Sequence, residues 1–99
     1  MSHSFRDRII ALVEKRTPEQ KILFECSTDH KSQNLATLRQ MADKNCLYLM
    51  KIFHEGDAQN LKVVLLPTEQ FDLGWVLDSL GRDLVRVKNC ETHEEETIE

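Results

Sequence analysis

The chain has 99 residues, of which 40% are hydrophobic and 30% charged, with only 3 Gly and 2 Pro. This composition is that of one globular domain, and it argues against a disordered or fibrous chain and against a large multi-step enzyme. The net charge of −4 is unevenly spread, because residues 91–99 hold five of the 17 acids and none of the 13 bases. Residues 1–90 therefore carry 13 bases against 12 acids, a balance that disfavours a strongly basic nucleic-acid binder.

No apolar run approaches the roughly 20 residues of a membrane helix, and the N-terminal segment has no apolar signal core. The three cysteines, Cys26, Cys46 and Cys90, cannot all pair within the chain. We therefore expect a cytoplasmic protein with no membrane segment. Residues 1–90 are predicted to form a single α+β domain, and residues 91–99, which lack apolar periodicity, a disordered acidic tail.

The first predicted elements are a helix, a strand and a second helix. Ser4 is placed to cap a helix over residues 5–16, whose apolar residues recur at helical spacing at Phe5, Ile9, Leu12 and Val13. Thr17-Pro18 ends this helix. Residues 21–26 are β-prone and predict a strand, and the next helix runs from an N-cap at Ser32 to Asn45.

The second half of the chain predicts two strands, a helix and a last strand. Residues 46–54 and 61–66 are β-prone runs joined by a polar connector with Gly56, which is typical of a hairpin. Pro67-Thr68 predicts the start of a helix that ends at Gly81. Residues 84–88 predict a strand, with a continued helix as the alternative. The order after the first helix is β-α-β-β-α-β, so we predict a ferredoxin-like antiparallel sheet with an extra N-terminal helix.

Alternation along these strands predicts two faces of the sheet. One face, with Ile22, Phe24, Val85 and Val87, suits a helix-covered core. The opposite face combines charged residues with apolar ones that need a cover, namely Leu23, Leu47, Leu49, Phe53, Val64, Leu66 and Leu84. Two covers are open alternatives: the helix over residues 5–16, or a second copy of the chain.

This apolar second face predicts a non-catalytic regulatory or adaptor protein that acts through protein–protein association, as a homodimer or with another protein. The predicted interaction residues are Phe5, Ile9, Leu12, Leu49, Phe53, Val64 and Leu66.

Catalytic and metal chemistry find little support in the sequence. Cys26-x3-His30 and Cys90-x2-His93 are zinc-type ligand pairs, but antiparallel strands would place them at opposite edges of the sheet. Heavy-metal-binding domains of this topology carry Cys-x-x-Cys after the first strand, where this chain reads Cys26-Ser27-Thr28-Asp29. No nucleophile elbow or phosphate-binding loop is present. We predict no enzyme activity, no cofactor and no metal site.

Two further functions stay as alternatives. RNA-recognition domains stack bases on aromatic residues of the third strand, but residues 61–66 contain no aromatic residue and no glycine. Nucleic acid is therefore an unlikely partner, limited to weak contact of sheet bases such as Arg86 and Lys88, for which the acidic tail would compete.

The loop between the first strand and the second helix suggests a small-molecule effector. Asp29, Ser32 and Asn34 lie where backbone N–H groups at a helix start can hold an anion. In placement this loop is similar to the ligand loop of ACT-type regulatory domains, which bind amino acids at dimer interfaces. Asp29 stands where those domains often place an aspartate, although their glycine is missing from the Ser32–Asn34 stretch. The resemblance implies a ligand-sensing role for these three residues.

Overall fold

The computed structural model describes residues 4–45 and 60–98. Its helices are α1 (Phe5–Glu14), α2 (Lys31–Asn45) and α3 (Leu73–Leu80), and its strands are β1 (Ile22–Cys26), β2 (Leu61–Leu65), β3 (Leu84–Asn89) and β4 (Glu95–Thr97). The protein is an α+β fold with a four-stranded antiparallel sheet in the order β2-β1-β3-β4. Within the described residues, no helix has the length and apolar character needed to cross a membrane.

The first two helices follow their sequence signals closely. The Ser4 hydroxyl oxygen accepts the Asp7 backbone N–H at 3.1 Å and caps α1, as the spacing of these two residues predicts. α2 is described from Lys31 to Asn45, and it begins at Lys31. Ser32 therefore lies in the first turn of the helix and is not its cap.

The third helix begins later than predicted. Instead of starting at Pro67-Thr68, the chain makes a turn in which the Phe71 N–H donates to the Thr68 carbonyl at 3.0 Å. α3 then starts beyond Asp72, whose carboxylate accepts the Trp75 N–H at 3.0 Å. The predicted start is wrong because an aspartate cap satisfies the free N–H groups of a helix start, which a proline alone does not do.

β1 lies at the centre of the sheet, antiparallel to β2 on one side and to β3 on the other. The ferredoxin-like order is not confirmed. Residues 46–54, the predicted second strand, lie outside the described residues, and the fourth strand of the sheet is β4, which the sequence did not predict.

The C-terminal segment differs most from its prediction. The sequence predicts a disordered tail over residues 91–99, but Glu95–Thr97 form β4, antiparallel to β3. The prediction is wrong because it used only the acid content of this segment, and the sequence does not show which bases lie beside these acids in the folded chain. Four of those acids meet a basic side chain, as described below, so charge favours order here.

All three helices contribute to one core on a single face of the sheet. The buried residues of β1, β2 and β3 on that face pack with Ile9, Leu12 and Val13 of α1 and with the apolar residues of α2 and α3. Of the two alternative covers for the second face, the helix over residues 5–16 is not the one, because its apolar residues belong to the core. The apolar stripe of α1 packs on the core face, where α1 contacts β3 and β4.

A β-bulge in β3 changes which of its residues face the core. Glu25 pairs with Arg86, but Cys26 pairs with Leu84, so Val85 is the extra residue. Leu84 is therefore buried in the core, whereas Val85 is half-buried and outside it. The sequence analysis placed Val85 on the core face and Leu84 on the second face. Both placements are wrong, because simple alternation assumes a strand without a bulge.

Candidate functional site

The second face of the described strands is dominated by ion pairs. Arg86 lies between two carboxylates, with its Nε 2.8 Å from Glu25 Oε1 and its Nη1 3.2 Å from Glu95 Oε1. Leu23 is buried on this face and Val64 is half-buried. The described part of the face is therefore not an open apolar patch, and its arginine is already neutralised.

The predicted interaction residues are distributed over different parts of the molecule. Ile9 and Leu12 are core residues, 1% and 4% exposed, and Phe5 packs partly against the same core. Leu66 is half-buried beside Val13, at a groove with Pro67 and Phe71. Val64 is half-buried on the second face, and Leu49 and Phe53 lie outside the described residues. The structure does not bring the described members together into one surface.

The predicted ligand loop is divided between structural and exposed residues. Asn34 is 3% exposed, and its side-chain amide donates to the Ser27 carbonyl and to the Asp83 carboxylate, both at 3.2 Å. Asp29 and Ser32 are exposed. These two bonds hold the Asn34 amide nitrogen against Ser27 and Asp83, so this residue links the start of α2 to the residue before β3.

Asp83 is the residue of this loop region that sequence reasoning missed. The sequence suggests a solvated turn residue, but Asp83 is 8% exposed, and its Oδ2 lies 2.9 Å from His30 Nδ1 and 3.2 Å from Asn34 Nδ2. The Asp83 carbonyl also accepts the Ser27 N–H at 2.8 Å. The position of Asp83 directly before β3, next to the end of β1, is the signal that could have identified it.

The two described cysteines are free thiols with raised pKa values. Cys26 is fully buried, and desolvation, with smaller contributions from Asp83 and Glu25, raises its pKa to about 12. Desolvation also raises the pKa of Cys90, which lies beside Glu91. Both groups are thiols at neutral pH, whereas a nucleophile or a metal ligand needs the thiolate. Among residues 4–45 and 60–98, no three His, Cys, Asp or Glu side chains are grouped to hold a metal ion.

Four acids of the C-terminal segment are paired with bases that lie far apart in the chain. On the core side of the sheet, Arg8 Nε lies 2.9 Å from Glu96 Oε1, and Lys15 Nζ lies 2.7 Å from Glu94 Oε2. Because Phe5 and Ile98 line one cleft at the other end of α1, the helix runs antiparallel along β4. These contacts, together with the Arg86–Glu95 pair on the opposite face, attach both faces of β4.

A fourth pair fixes the turn that leads into β4. Lys21 Nζ donates to Glu91 Oε1 at 2.9 Å, and the Lys21 backbone N–H donates to Glu91 Oε2 at 2.8 Å. The hydrogen bond between the side chains lowers the pKa of Glu91 and raises that of Lys21. The equivalent bond from Lys15 lowers the pKa of Glu94. These pKa shifts favour the charged forms of Lys21, Glu91 and Glu94.

Asn89 organises the same turn from inside. It is 2% exposed, and its side-chain oxygen accepts the backbone N–H groups of Glu91 and Thr92 at 2.9 and 3.0 Å. Its amide donates to Gln20 Oε1 at 2.9 Å. His93 then takes a positive φ of 66°, the left-handed conformation that reverses the chain. The turn is therefore built by side-chain bonds, and β4 is placed by them.

Among residues 4–45 and 60–98, the ladder between β3 and β4 leaves one side of β4 without a strand partner. The Asn89 and Ile98 N–H groups donate to the Glu94 and Val85 carbonyls at 2.9 Å. The hydrogen-bonded pairs are therefore the ones that contain Glu94, Glu96 and Ile98, because such pairs alternate along an antiparallel ladder.

The backbone groups of Glu95 and Thr97 consequently point away from β3, and we call this side the outer edge of β4. Both residues are exposed. Within the described residues, the outer edge has a long contact, 3.5 Å from Arg8 Nη2 to the Thr97 carbonyl. Ile98, at 50% exposure, is the one large hydrophobic side chain of the described chain that is open to solvent.

The chain was compared with protein-family models, with curated proteins and with solved structures, and none of the three comparisons found a match.

Proposed function

We propose that this protein acts by association with another protein, as a regulatory or adaptor protein without catalysis of its own. In this proposal the outer edge of β4 is the docking element, and it pairs with an extended segment of the partner. The observation that carries the proposal is the outward side of β4, where, within the described residues, the backbone N–H and C=O of Glu95 and the N–H of Thr97 have no strand partner at an exposed sheet edge. Such an edge is a template for a further strand.

Two properties of β4 support docking there. Its side chains are held from both faces, by Arg8 and Lys15 on one side and by Arg86 on the other. A partner strand would therefore meet an edge that is already ordered, which lowers the entropy cost of binding. The exposed Ile98 offers an apolar contact next to that edge.

The described chemistry favours association over catalysis. Cys26 is buried with a pKa of about 12, and His30 Nδ1 is bonded to a carboxylate that also holds Asn34. These groups stabilise the junction of β1, α2 and β3, and this use leaves no activated nucleophile in the described residues.

We also propose the ferredoxin-like arrangement of the sheet, in which residues 46–54 form a strand beside β2. The antiparallel position of β1 between β2 and β3 supports it, because that arrangement makes these strands neighbours. Nuclear Overhauser contacts between residues 46–54 and β2 would test it, and contacts of these residues with β4 instead would contradict it.

The docking proposal is tested by selecting random extended peptides on the immobilised full-length chain, with the same selection on Thr97→Pro. Proline removes one outward N–H and places a ring at the outer edge, while the inward bonds of Glu96 and Ile98 remain. The matched control is Thr97→Val, which keeps the N–H group. We expect peptides that bind the wild type and Thr97→Val but not Thr97→Pro.

Protection of the Ile98 amide against hydrogen exchange in Thr97→Pro verifies that β4 is still in place. Peptides that bind all three proteins equally would contradict the docking proposal. A selection without enrichment on the wild type would also contradict it.

A further inference from the structure

The charge of the groove beside the outer edge of β4 restricts the chemistry of the partner. α1 and the C-terminal segment form a groove of about 610 Å³, lined by five carboxylates and two bases together with apolar Ile10, Ala11 and Leu12. The groove is therefore net negative. This excess of acid lies directly beside the strand edge that the proposed function uses.

The two bases of the groove already form ion pairs with acids of the C-terminal segment. Arg8 pairs with Glu96 and Lys15 pairs with Glu94. Glu95, on the opposite face of β4, pairs with Arg86. The carboxylates of the groove that have no basic partner in the described structure are Asp7 and Glu14, both exposed residues of α1.

Asp7 and Glu14 lie on one side of α1, because seven residues make two turns of a helix. Two turns correspond to a rise of about 10.5 Å, and a strand advances about 3.3 Å per residue. A strand paired with the outer edge of β4 turns alternate side chains toward α1. Bases two or four residues apart on that strand would reach the two free carboxylates with their long side chains.

A second copy of β4 suits this edge poorly. Self-pairing would bring Glu94, Glu95 and Glu96 against the same three acids, and like charges across a strand pair are destabilising. The charge of the groove instead complements a basic segment.

We infer that the outer edge of β4 binds an extended segment of a partner protein that carries Lys or Arg at alternate positions on its α1-facing side. This inference rests on the proposed function and adds the chemistry of the partner. The backbone of Glu95 and Thr97 supplies the strand pairing, and Asp7 and Glu14 select the basic side chains.

Fluorescence anisotropy with labelled peptides of equal length tests the inference on the full-length chain. The first peptide alternates Lys with Val, the second alternates Glu with Val, and the third has the composition of the first with its lysines consecutive. We expect the Lys-Val peptide to bind most tightly, with an affinity that falls as salt rises.

The variant for this test is the double substitution Asp7→Asn and Glu14→Gln, and the control is Glu19→Gln with Asp78→Asn, two exposed acids that do not line the groove. We expect the first variant to weaken binding of the Lys-Val peptide about tenfold at low salt and the control to leave it unchanged. Thr97→Pro should abolish binding of this peptide.

The outcomes separate the inference from the proposed function. Equal binding of the Glu-Val or consecutive-lysine peptide, or an unchanged affinity in the Asp7 and Glu14 variant, would overturn the basic partner while edge docking stands. Binding of the Lys-Val peptide that survives Thr97→Pro would overturn docking at the edge itself. Absence of binding by the Lys-Val peptide would overturn the inference, and the random-peptide selection then decides the proposed function.

Discussion

The two ends of β3 use polar residues in opposite ways. Just before the strand, Asp83 is buried and its carboxylate is bonded to His30 and Asn34. After the strand, the chain turns into β4, whose acids pair at the surface and whose outer edge faces solvent. A buried polar group with its bonds satisfied holds a fold together. Exposed backbone groups without bonds are free to meet a partner. The difference separates the residues that stabilise this protein from those proposed to serve its function.

The largest effect is expected at Asp83. Asp83→Ala removes the carboxylate and leaves the buried amide of Asn34 with one partner fewer, so we expect a loss of about 2–3 kcal/mol in the free energy of unfolding. Urea denaturation measures it. The control is Asp78→Ala, whose carboxylate is 73% exposed and pairs with Arg6 at 3.1 Å, and whose effect should be within about 0.5 kcal/mol. Equal effects of the two substitutions would contradict a stabilising role of the buried Asp83 carboxylate.

The next largest effect is expected at Asn89, the last residue of β3 before the turn into β4. Asn89→Ala removes two bonds to turn N–H groups and one to Gln20, and we expect a loss of about 2 kcal/mol. Because these bonds place β4, amide protection at Ile98 should fall further than protection in β1. Hydrogen exchange followed by NMR measures both. A uniform loss across the sheet would show that β4 is not a separately held element.

Acidification is expected to release β4 before the rest of the fold. Pairing with Lys21 and Lys15 lowers the pKa values of Glu91 and Glu94. A lowered pKa in the folded state means that the stabilisation is present above the unfolded value of about 4.3 and is lost as pH falls through the folded value. The raised pKa of Lys21 has the opposite sign, and its stabilisation is lost only as pH rises above about 10.4.

Protection of the Ile98 amide should therefore decrease below about pH 4.3 while protection in β1 persists. The control is the double variant Glu91→Gln with Glu94→Gln, in which this early loss should be absent. Simultaneous loss of protection in β1 and β4 of the wild type would contradict the prediction.

The smallest effect is a stabilisation. His93 has a φ of 66°, a conformation that costs a residue with a Cβ about 1–2 kcal/mol, whereas glycine adds about 0.4–1 kcal/mol of unfolded-state entropy. We expect His93→Gly to raise the free energy of unfolding by about 0.5 kcal/mol, measured by urea denaturation. Thr92→Gly, one residue earlier without a positive φ, should lower it. A loss of stability in His93→Gly would show that the imidazole has a structural role.

The sequence was sufficient for the elements whose signals are local. The N-cap of α1 at Ser4, the strand at residues 21–26 and the strand at residues 84–88 follow from spacing within a few neighbours, and the structure confirms all three. The α+β class with an antiparallel sheet follows from their order.

The rest depends on partners that are distant in the chain. The acids of the C-terminal segment predict a disordered tail when they are considered alone. In the fold they pair with Arg8, Lys15 and Lys21, which are 70 to 88 residues away in the sequence. The sequence predicts a solvated side chain at Asp83, because it does not show that Asn34 donates a hydrogen bond to its carboxylate in the fold. The bulge at Val85 reverses the alternation in β3. For the same reason, the sequence predicted interaction residues on α1 and the second face, whereas the edge proposed for docking is a backbone feature.

Residue-resolved amide exchange of the isolated full-length chain tests the central claim most directly. The account predicts alternation along β4: protected N–H groups at Glu96 and Ile98, which face β3, and fast exchange at Glu95 and Thr97, which form the outer edge. Fast exchange at all four positions would contradict an ordered β4. Protection at all four would show that the outer edge is already occupied and is not available to a partner.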